Sequence, residues 1–186
     1  FFLIKNIQYE NKDFKINLDQ YYNTSIFDLD KIEITSLIYK NPIINSFKIN
    51  KIYPNTLKIN LKKTNPVASL YINGDLFFIG ENEKIFKDDK YSKDVPIIKG
   101  FVDLNEINKF FRILKNSDLN LTQIDYLVYH QSKRWDILFK DSITLKLPIE
   151  VNLSTIQNAT YLIKDSNFKK KIIDLRIKNK IIVSDE

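Results

Sequence analysis

The sequence predicts an α+β fold of two small domains, at residues 1–66 and 67–186. A chain of 186 residues is long enough for one or two small cores but not for three ordinary domains. The first third of the chain has the order strand, helix, helix, hairpin, whereas the remainder is richer in strands. Asn65-Pro66 separates these two patterns and is the natural boundary.

The first domain is predicted to open with a strand and to continue with helices. Phe2 and Ile4 suggest the strand. The acidic cluster at residues 28–30 offers side-chain acceptors for the free N–H groups of a helix start. Ile34 and Ile38 follow one helical turn apart, which places both on one face of that helix.

A hairpin completes the first domain. Pro42 ends the helix, because the residue before a proline is pushed out of the α region. Pro54-Asn55 then sets a turn between two strands. The second strand has a single buried face, since Leu57, Ile59 and Leu61 alternate with polar residues.

The second domain contains two helices among strands. A helix is predicted around Ile107, Phe110 and Leu114, which share one face, and Asp103 with Glu106 forms a capping pair at its start. Another helix contains Ile156, Ala159 and Ile163. Alternating segments at 126–130, 135–139 and 143–147 predict an antiparallel meander, and two closing strands are predicted at 172–177 and 180–183.

The residues needed for catalysis are scarce. The chain has no cysteine, one histidine and three glycines, so thiolate metal sites, a cysteine nucleophile and a glycine-rich phosphate loop are not predicted. His130 lies in a strand pattern, and Asp125 is five residues away without a surrounding motif. We therefore expect a protein that is not an enzyme, with no catalytic, cofactor or metal site.

The basic charge has two interpretations. The net charge is +6, but the lysines are interleaved with 23 acidic residues in a chain rich in isoleucine, asparagine and lysine. Nucleic-acid-binding surfaces usually cluster their lysines and arginines, so coding bias is the favoured explanation and no nucleic-acid partner is expected.

Several ordered segments together resemble the FtsQ/DivIB family of bacterial division proteins. The segments are 41–44 and 51–59 with their Pro and aromatic-Pro-x-Thr-Leu patterns, Pro66 to Ala68 at the domain junction, 95–100, 134–137 with 143–148, and the run Ile173-Asp174-Leu175-Arg176. The sequence departs from the family pattern at Lys63, where the family has an acid, and at Gly80 and Glu83, where it has Asp and Gly.

The resemblance implies a fold, a location and partners. It implies a POTRA module of order β-α-α-β-β at 1–66, followed by an FtsQ-type β domain at 67–186. It also implies a non-catalytic divisome scaffold in the inner membrane, held by a single-pass anchor upstream of Phe1, with this part on the periplasmic side. Its expected partners are FtsB and FtsL, and the scaffold is expected to help control septal wall synthesis. No cofactor is implied.

The resemblance places the partner surface on the last strand, which has no later strand to cover it. An exposed sheet edge offers free N–H and C=O groups that another chain can complete by β-addition. The expected contacts are Arg176, Ile177, Lys180, Ile181, Ile182 and Val183. Ile182→Pro is predicted to remove an edge donor. The alternative is that Arg176 pairs internally and residues 181–183 fill the core.

A second, weaker partner surface is expected at Ile49 and Lys51, where the family contacts other division proteins.

Three other functions compete with the scaffold. They are a POTRA module of outer-membrane assembly or secretion, a basic nucleic-acid-binding domain, and an enzyme with an unfamiliar site.

Overall fold

The computed structural model describes residues 2–11, 14–88, 91, 94–164, 171–178 and 180–185. Contacts divide the chain into two compact units. The first comprises Phe1–Asn65 with Gly80–Phe86, and the second comprises Pro66–Ile79 with Lys87–Glu186. The domain limits expected from the sequence, 1–66 and 67–186, do not separate Gly80–Phe86 and stay a prediction.

Among the described residues, the first unit contains a three-stranded sheet and one α-helix. Its elements are β1 (Asn6–Tyr9), a 3₁₀ turn (Asp19–Tyr21), α1 (Lys31–Tyr39), β2 (Ile44–Ile52) and β3 (Thr56–Lys63). The sheet order is β1-β3-β2, with β1 parallel and β2 antiparallel to β3. The predicted α+β class is confirmed, although the opening strand begins at Asn6 and the first of the two predicted helices is only a three-residue 3₁₀ turn.

Local sequence explains α1 and β3. The Asp30 carboxylate accepts hydrogen bonds from the N–H groups of Ile32 and Glu33, which have no partner inside the helix. The helix buries Ile34 and Ile38 on one face. In β3, the predicted alternating residues Leu57, Ile59 and Leu61 are all buried.

The second unit is built on a larger sheet. The remaining elements, in chain order, are β4 (Pro66–Ile72), β5 (Asp75–Gly80), β6 (Ile85–Phe86, grouped with the first unit), β7 (Ile97–Lys99), α2 (Leu104–Lys115), a 3₁₀ turn (Leu121–Gln123), β8 (Ile124–Tyr129), β9 (Trp135–Phe139), β10 (Thr144–Lys146), α3 (Leu153–Lys164), β11 (Lys171–Asp174) and β12 (Ile182–Asp185). From one edge inward the strand order is β12-β11-β10-β9-β8-β7-β4-β5. The predicted β8-β9-β10 meander is antiparallel, as expected, whereas β11 is parallel to β10 and antiparallel to β12.

One face of this sheet forms the core of the second unit. A row of paired residues crosses it from Ile98 on β7 through Leu127, Ile137, Leu145 and Ile173 to Val183 on β12. Helix α2 packs on this face, because the Phe110 ring stacks on Trp135 with centroids 4.5 Å apart, and α3 contacts α2. The first five members of the row are buried, but Val183 is 40% exposed.

The segment Gly80–Phe86 is tied to the first unit by Asn82. Its side-chain amide donates to the carbonyl oxygens of Pro42 at 2.8 Å and Ile44 at 3.0 Å. Glu83 lies at φ 63°, in the left-handed region that favours glycine, so the departure from the family's glycine at this position has a structural cost.

No helix in the described ranges combines the length and apolar character needed to cross a bilayer.

Candidate partner-binding edge

Strand β12 lies at the end of the strand order. Within the described part of the chain it has a strand neighbour on one side only, β11. All four residues of β12 are exposed, as are Ile177 and Ile181 before it. This segment therefore presents an apolar surface at a sheet edge, which is the arrangement that accepts an added strand.

The backbone of β11 shows which groups are used inside the sheet. The Leu175 N–H donates to the Lys146 carbonyl oxygen on β10 at 2.9 Å. Backbone groups of successive strand residues point to opposite sides, so the odd-numbered residues here face β10. Ile172 and Asp174 therefore direct their N–H and C=O groups toward β12.

The register then identifies the free groups of β12. Ile172 is paired with Ser184, and Asp174 is paired with Ile182. Ser184 and Ile182 therefore bond to β11, while Val183 directs its N–H and C=O toward the open edge. The expectation that Ile182→Pro removes an edge donor is wrong, because that N–H faces β11; the outward donors of β12 belong to Val183 and, by the same alternation, Asp185.

The side chains of β12 divide between the two sheet faces. Val183 pairs with the fully buried Ile173 and so continues the core row. Ile182 pairs with Asp174 on the opposite face. A partner strand beside β12 would thus meet an apolar position on the helix-covered face and another on the open face.

Arg176 is already paired within the chain. Its guanidinium Nε lies 2.8 and 2.9 Å from the two carboxylate oxygens of Asp174, and Nη2 also bonds this carboxylate. The hydrogen bonds and charge of Arg176 lower the pKa of Asp174 despite its partial burial, and the same pairing raises the pKa of Arg176. The structure thus contains the internal pairing of Arg176 that the sequence analysis gave as the alternative to partner binding.

Several of the other predicted contact residues lie outside the strands in which the sequence analysis placed them. Arg176 and Ile177 lie after the end of β11, not on a strand, and Lys180 and Ile181 precede β12. The alternative that residues 181–183 fill the core is wrong, since Ile181, Ile182 and Val183 are 53%, 45% and 40% exposed.

The second predicted surface lies on β2, which is an edge strand among the described residues. Ile49 is half-buried and Lys51 is exposed. Both line a groove of about 460 Å³ between β2 and α1. Three of the described residues that line it are lysines, namely Lys31, Lys48 and Lys51, and none carries a carboxylate.

The described residues show no constellation typical of an enzyme. The His130 Nε2 lies 2.8 Å from a carboxylate oxygen of Asp136, a contact that the sequence spacing did not identify. No group of three or more histidine, aspartate or glutamate side chains is placed to hold a metal ion in the described ranges.

Two family models match the chain. A model for the FtsQ-type POTRA domain matches residues 5–63. A model for the C-terminal part of cell division protein FtsQ/DivIB matches residues 70–176, more than half of the chain. The chain belongs to the FtsQ/DivIB family of cell-division proteins. Strand β12 follows the last residue of this match.

Individual members of the family are also similar. The chain is 28% identical over 165 residues to cell division protein FtsQ of Rickettsia prowazekii, covering 87% of this chain and 62% of that protein. It is 32% identical over 159 residues to FtsQ of Blochmanniella floridana, covering 76% and 56% respectively. The chain thus spans about three fifths of the length of these FtsQ relatives.

A solved structure is similar to part of the chain. The major extracytoplasmic domain of the division protein DivIB from Geobacillus stearothermophilus has a TM-score of 0.38 and 18% identity, covering 47% of this chain and 81% of that one. Family membership rests on the two family models.

Proposed function

We propose that this chain is a non-catalytic divisome scaffold that binds another division protein by β-addition at β12 and so helps to control septal wall synthesis. By family resemblance the added strand comes from FtsB, which is itself joined to FtsL. The observation that carries the proposal is the open edge at Val183, where a free backbone donor and acceptor stand beside an exposed apolar side chain.

The chemistry of the edge favours a particular partner strand. Addition beside β12 pairs the Val183 N–H and C=O with partner backbone, which supplies affinity without selecting a sequence. Selection comes from side chains: the partner residue opposite Val183 is apolar, because it extends the buried row that ends at Ile173 and Val183. Ile177 and Ile181 add exposed apolar surface next to this position.

Arg176 has a different role in this proposal from the one expected from the sequence. Its guanidinium is occupied by Asp174 immediately after β11. The pair therefore stabilises the point where the chain leaves β11 to form β12, and a partner carboxylate would have to share Arg176 with Asp174. We propose that Arg176 positions the edge more than it binds the partner.

We also propose that the complete protein is a single-pass inner-membrane protein with this part on the periplasmic side. Family membership supports this location, and the greater length of the FtsQ relatives leaves room for an anchor. The FtsQ type of the matched POTRA model favours a divisome protein over a POTRA module of outer-membrane assembly.

Isothermal titration calorimetry with the extracytoplasmic peptide of FtsB tests the β12 proposal. Val183→Pro removes the free edge N–H, whereas Val183→Ala retains it and serves as the control for lost side-chain contacts. One hydrogen bond contributes roughly 0.5–1.5 kcal/mol, so we expect Val183→Pro to bind up to about ten-fold more weakly than Val183→Ala.

The folding of both variants is checked by urea denaturation, which we expect to be similar because the Val183 N–H has no partner in β11. Equal affinities of the two variants for the peptide would contradict β-addition at β12.

A second contact is proposed at the β2 edge. The lysine-lined groove beside Ile49 and Lys51 favours an acidic segment with apolar residues. A double variant with Ile49→Glu and Lys51→Glu is expected to lose partners of the first unit in a pull-down of division proteins, while it retains the FtsB peptide. Unchanged recovery of every division protein would remove this surface.

A further inference from the structure

A cleft in the second unit lies away from the β12 edge. It has a volume of about 440 Å³ and is formed by α2, the ends of β8 and β9, and the segment before α3. Its lining includes Glu106, Phe110, Tyr129, Trp135, Ile149 and Glu150. Strands β10 and β11 separate β9 from β12, so the cleft is a different surface from the proposed strand-binding edge.

The floor of the cleft is aromatic. Trp135 is buried between Phe110, whose ring is stacked at 4.5 Å, and Tyr129, whose ring centroid lies 4.8 Å away. Ile149 stands at the margin with 62% of its surface exposed. An aromatic floor with an exposed apolar margin favours the alkyl part of a long side chain and an apolar neighbour.

Carboxylates lie beside this floor. Asp103 uses one oxygen to cap α2, accepting from the N–H groups of Asn105 and Glu106 at 2.9 and 3.0 Å. Glu106, half-buried, follows it on the same side of the helix, and Glu150 is exposed across the cleft. The pKa of Tyr129 is raised by burial first and then by the negative charges of Glu106 and Asp103.

Two lysines also line the cleft. Lys109, Lys133 and Glu150 are all exposed, so solvent screens their charges more than that of the half-buried Glu106. Neither lysine forms a salt bridge to Glu106 or Glu150 among the described residues. The two carboxylates therefore remain available to a cation that enters the cleft.

We propose that this cleft binds an arginine or lysine side chain, flanked by an apolar residue, from an extended segment of a partner protein. The cation lies between Glu106 and Glu150, its alkyl chain lies on the aromatic floor, and the apolar neighbour contacts Ile149. The cleft is thus a third proposed recognition element, with the opposite charge preference to the lysine-lined groove of the first unit.

The sequence provides a convenient reporter, because Trp135 is its only tryptophan. The full chain is titrated with acetyl-Leu-Arg-Leu-amide and with the same peptide in which citrulline replaces arginine. Citrulline has nearly the same shape without the charge. Trp135 fluorescence and the indole N–H resonance report occupancy of the cleft.

We expect saturable binding of the arginine peptide and roughly three- to ten-fold weaker binding of the citrulline peptide, as partly exposed ion pairs provide. In the variant Glu106→Gln with Glu150→Gln this preference should disappear. The matched control is Asp118→Asn with Asp125→Asn, which removes two exposed carboxylates of the same unit outside the cleft, and it should keep the preference.

Three results would overturn the proposal. They are equal affinity of the natural chain for both peptides, no saturable change with either peptide, and loss of the preference in the control variant as well. The circular dichroism spectrum of each variant checks that a lost signal does not come from unfolding. Because the test uses no division protein and no residue of β12, it can fail or succeed independently of the proposed scaffold function.

Discussion

Replacing Asp174 with asparagine tests how the edge is supported. The carboxylate of Asp174 accepts a hydrogen bond from the single Nε–H of Arg176, shared between its two oxygens, and another from Nη2. It also accepts one from the Arg176 backbone N–H at 3.0 Å. Asp174→Asn keeps the size of the side chain and an oxygen for the backbone N–H, so the main change is the loss of one charge from an ion pair.

The expected magnitude follows from exposure. The Arg176 side chain is 37% exposed and that of Asp174 is 14% exposed. Exposed ion pairs contribute roughly 0.2–1 kcal/mol, and bidentate geometry places this pair at the upper end of that range. We therefore expect Asp174→Asn to lower the free energy of unfolding by about 1 kcal/mol at pH 7.

The pH dependence has a definite sign. The folded-state pKa of Asp174 lies below its unfolded value, so its stabilisation is present above the unfolded pKa and is lost as the pH falls through the folded pKa. The raised pKa of Arg176 adds stability at every pH below its ordinary pKa, so it does not change over the acidic range.

Urea denaturation followed by Trp135 fluorescence at pH 7, 5, 4 and 3 provides the assay. The difference between the natural chain and Asp174→Asn should be constant at pH 7 and 5 and should shrink below about pH 4. A variant as stable as the natural chain at pH 7, or a difference that does not change with pH, would refute this account of the pair.

Three further predictions concern the core, a turn and the competing function. Ile137→Ala should lower the free energy of unfolding, measured by urea denaturation, by about 2–5 kcal/mol because Ile137 is fully buried on the helix-covered face. Leu138→Ala, on the open face, should lower it by about 1 kcal/mol. Equal losses would contradict the assignment of faces. Glu83→Gly should raise the free energy of unfolding by up to about 1 kcal/mol, and so raise the thermal midpoint, because glycine removes the strain of φ 63°. A lower midpoint would contradict this account of the turn. Filter binding at two salt concentrations should detect no tight, steeply salt-dependent binding of nucleic acid, and a steep salt dependence would favour the nucleic-acid interpretation of the +6 charge.

Local patterns in the sequence predicted most elements of both units. Side-chain caps at Asp30 and Asp103, together with apolar periodicity, are properties of neighbouring residues, and they located α1 and α2 correctly. The alternation of β3 and β9 likewise revealed their buried faces.

The candidate edge was less predictable because it depends on contacts beyond the local pattern. The predicted strand at 172–177 ends at Asp174, where the carboxylate accepts the Arg176 N–H and turns the chain out of the strand. Which residue of β12 carries the free N–H depends on a hydrogen bond between Leu175 and Lys146, and no pattern within β12 contains that information.

Amide hydrogen exchange at Val183 tests the proposed scaffold function most directly. In the free chain, the Ile182 and Ser184 amides should be protected by bonds to β11, while the Val183 amide should exchange with solvent. Saturation with the FtsB peptide should then slow exchange at Val183, because its N–H becomes bonded to the added strand. Unchanged exchange at Val183 in the saturated complex would contradict β-addition at this edge.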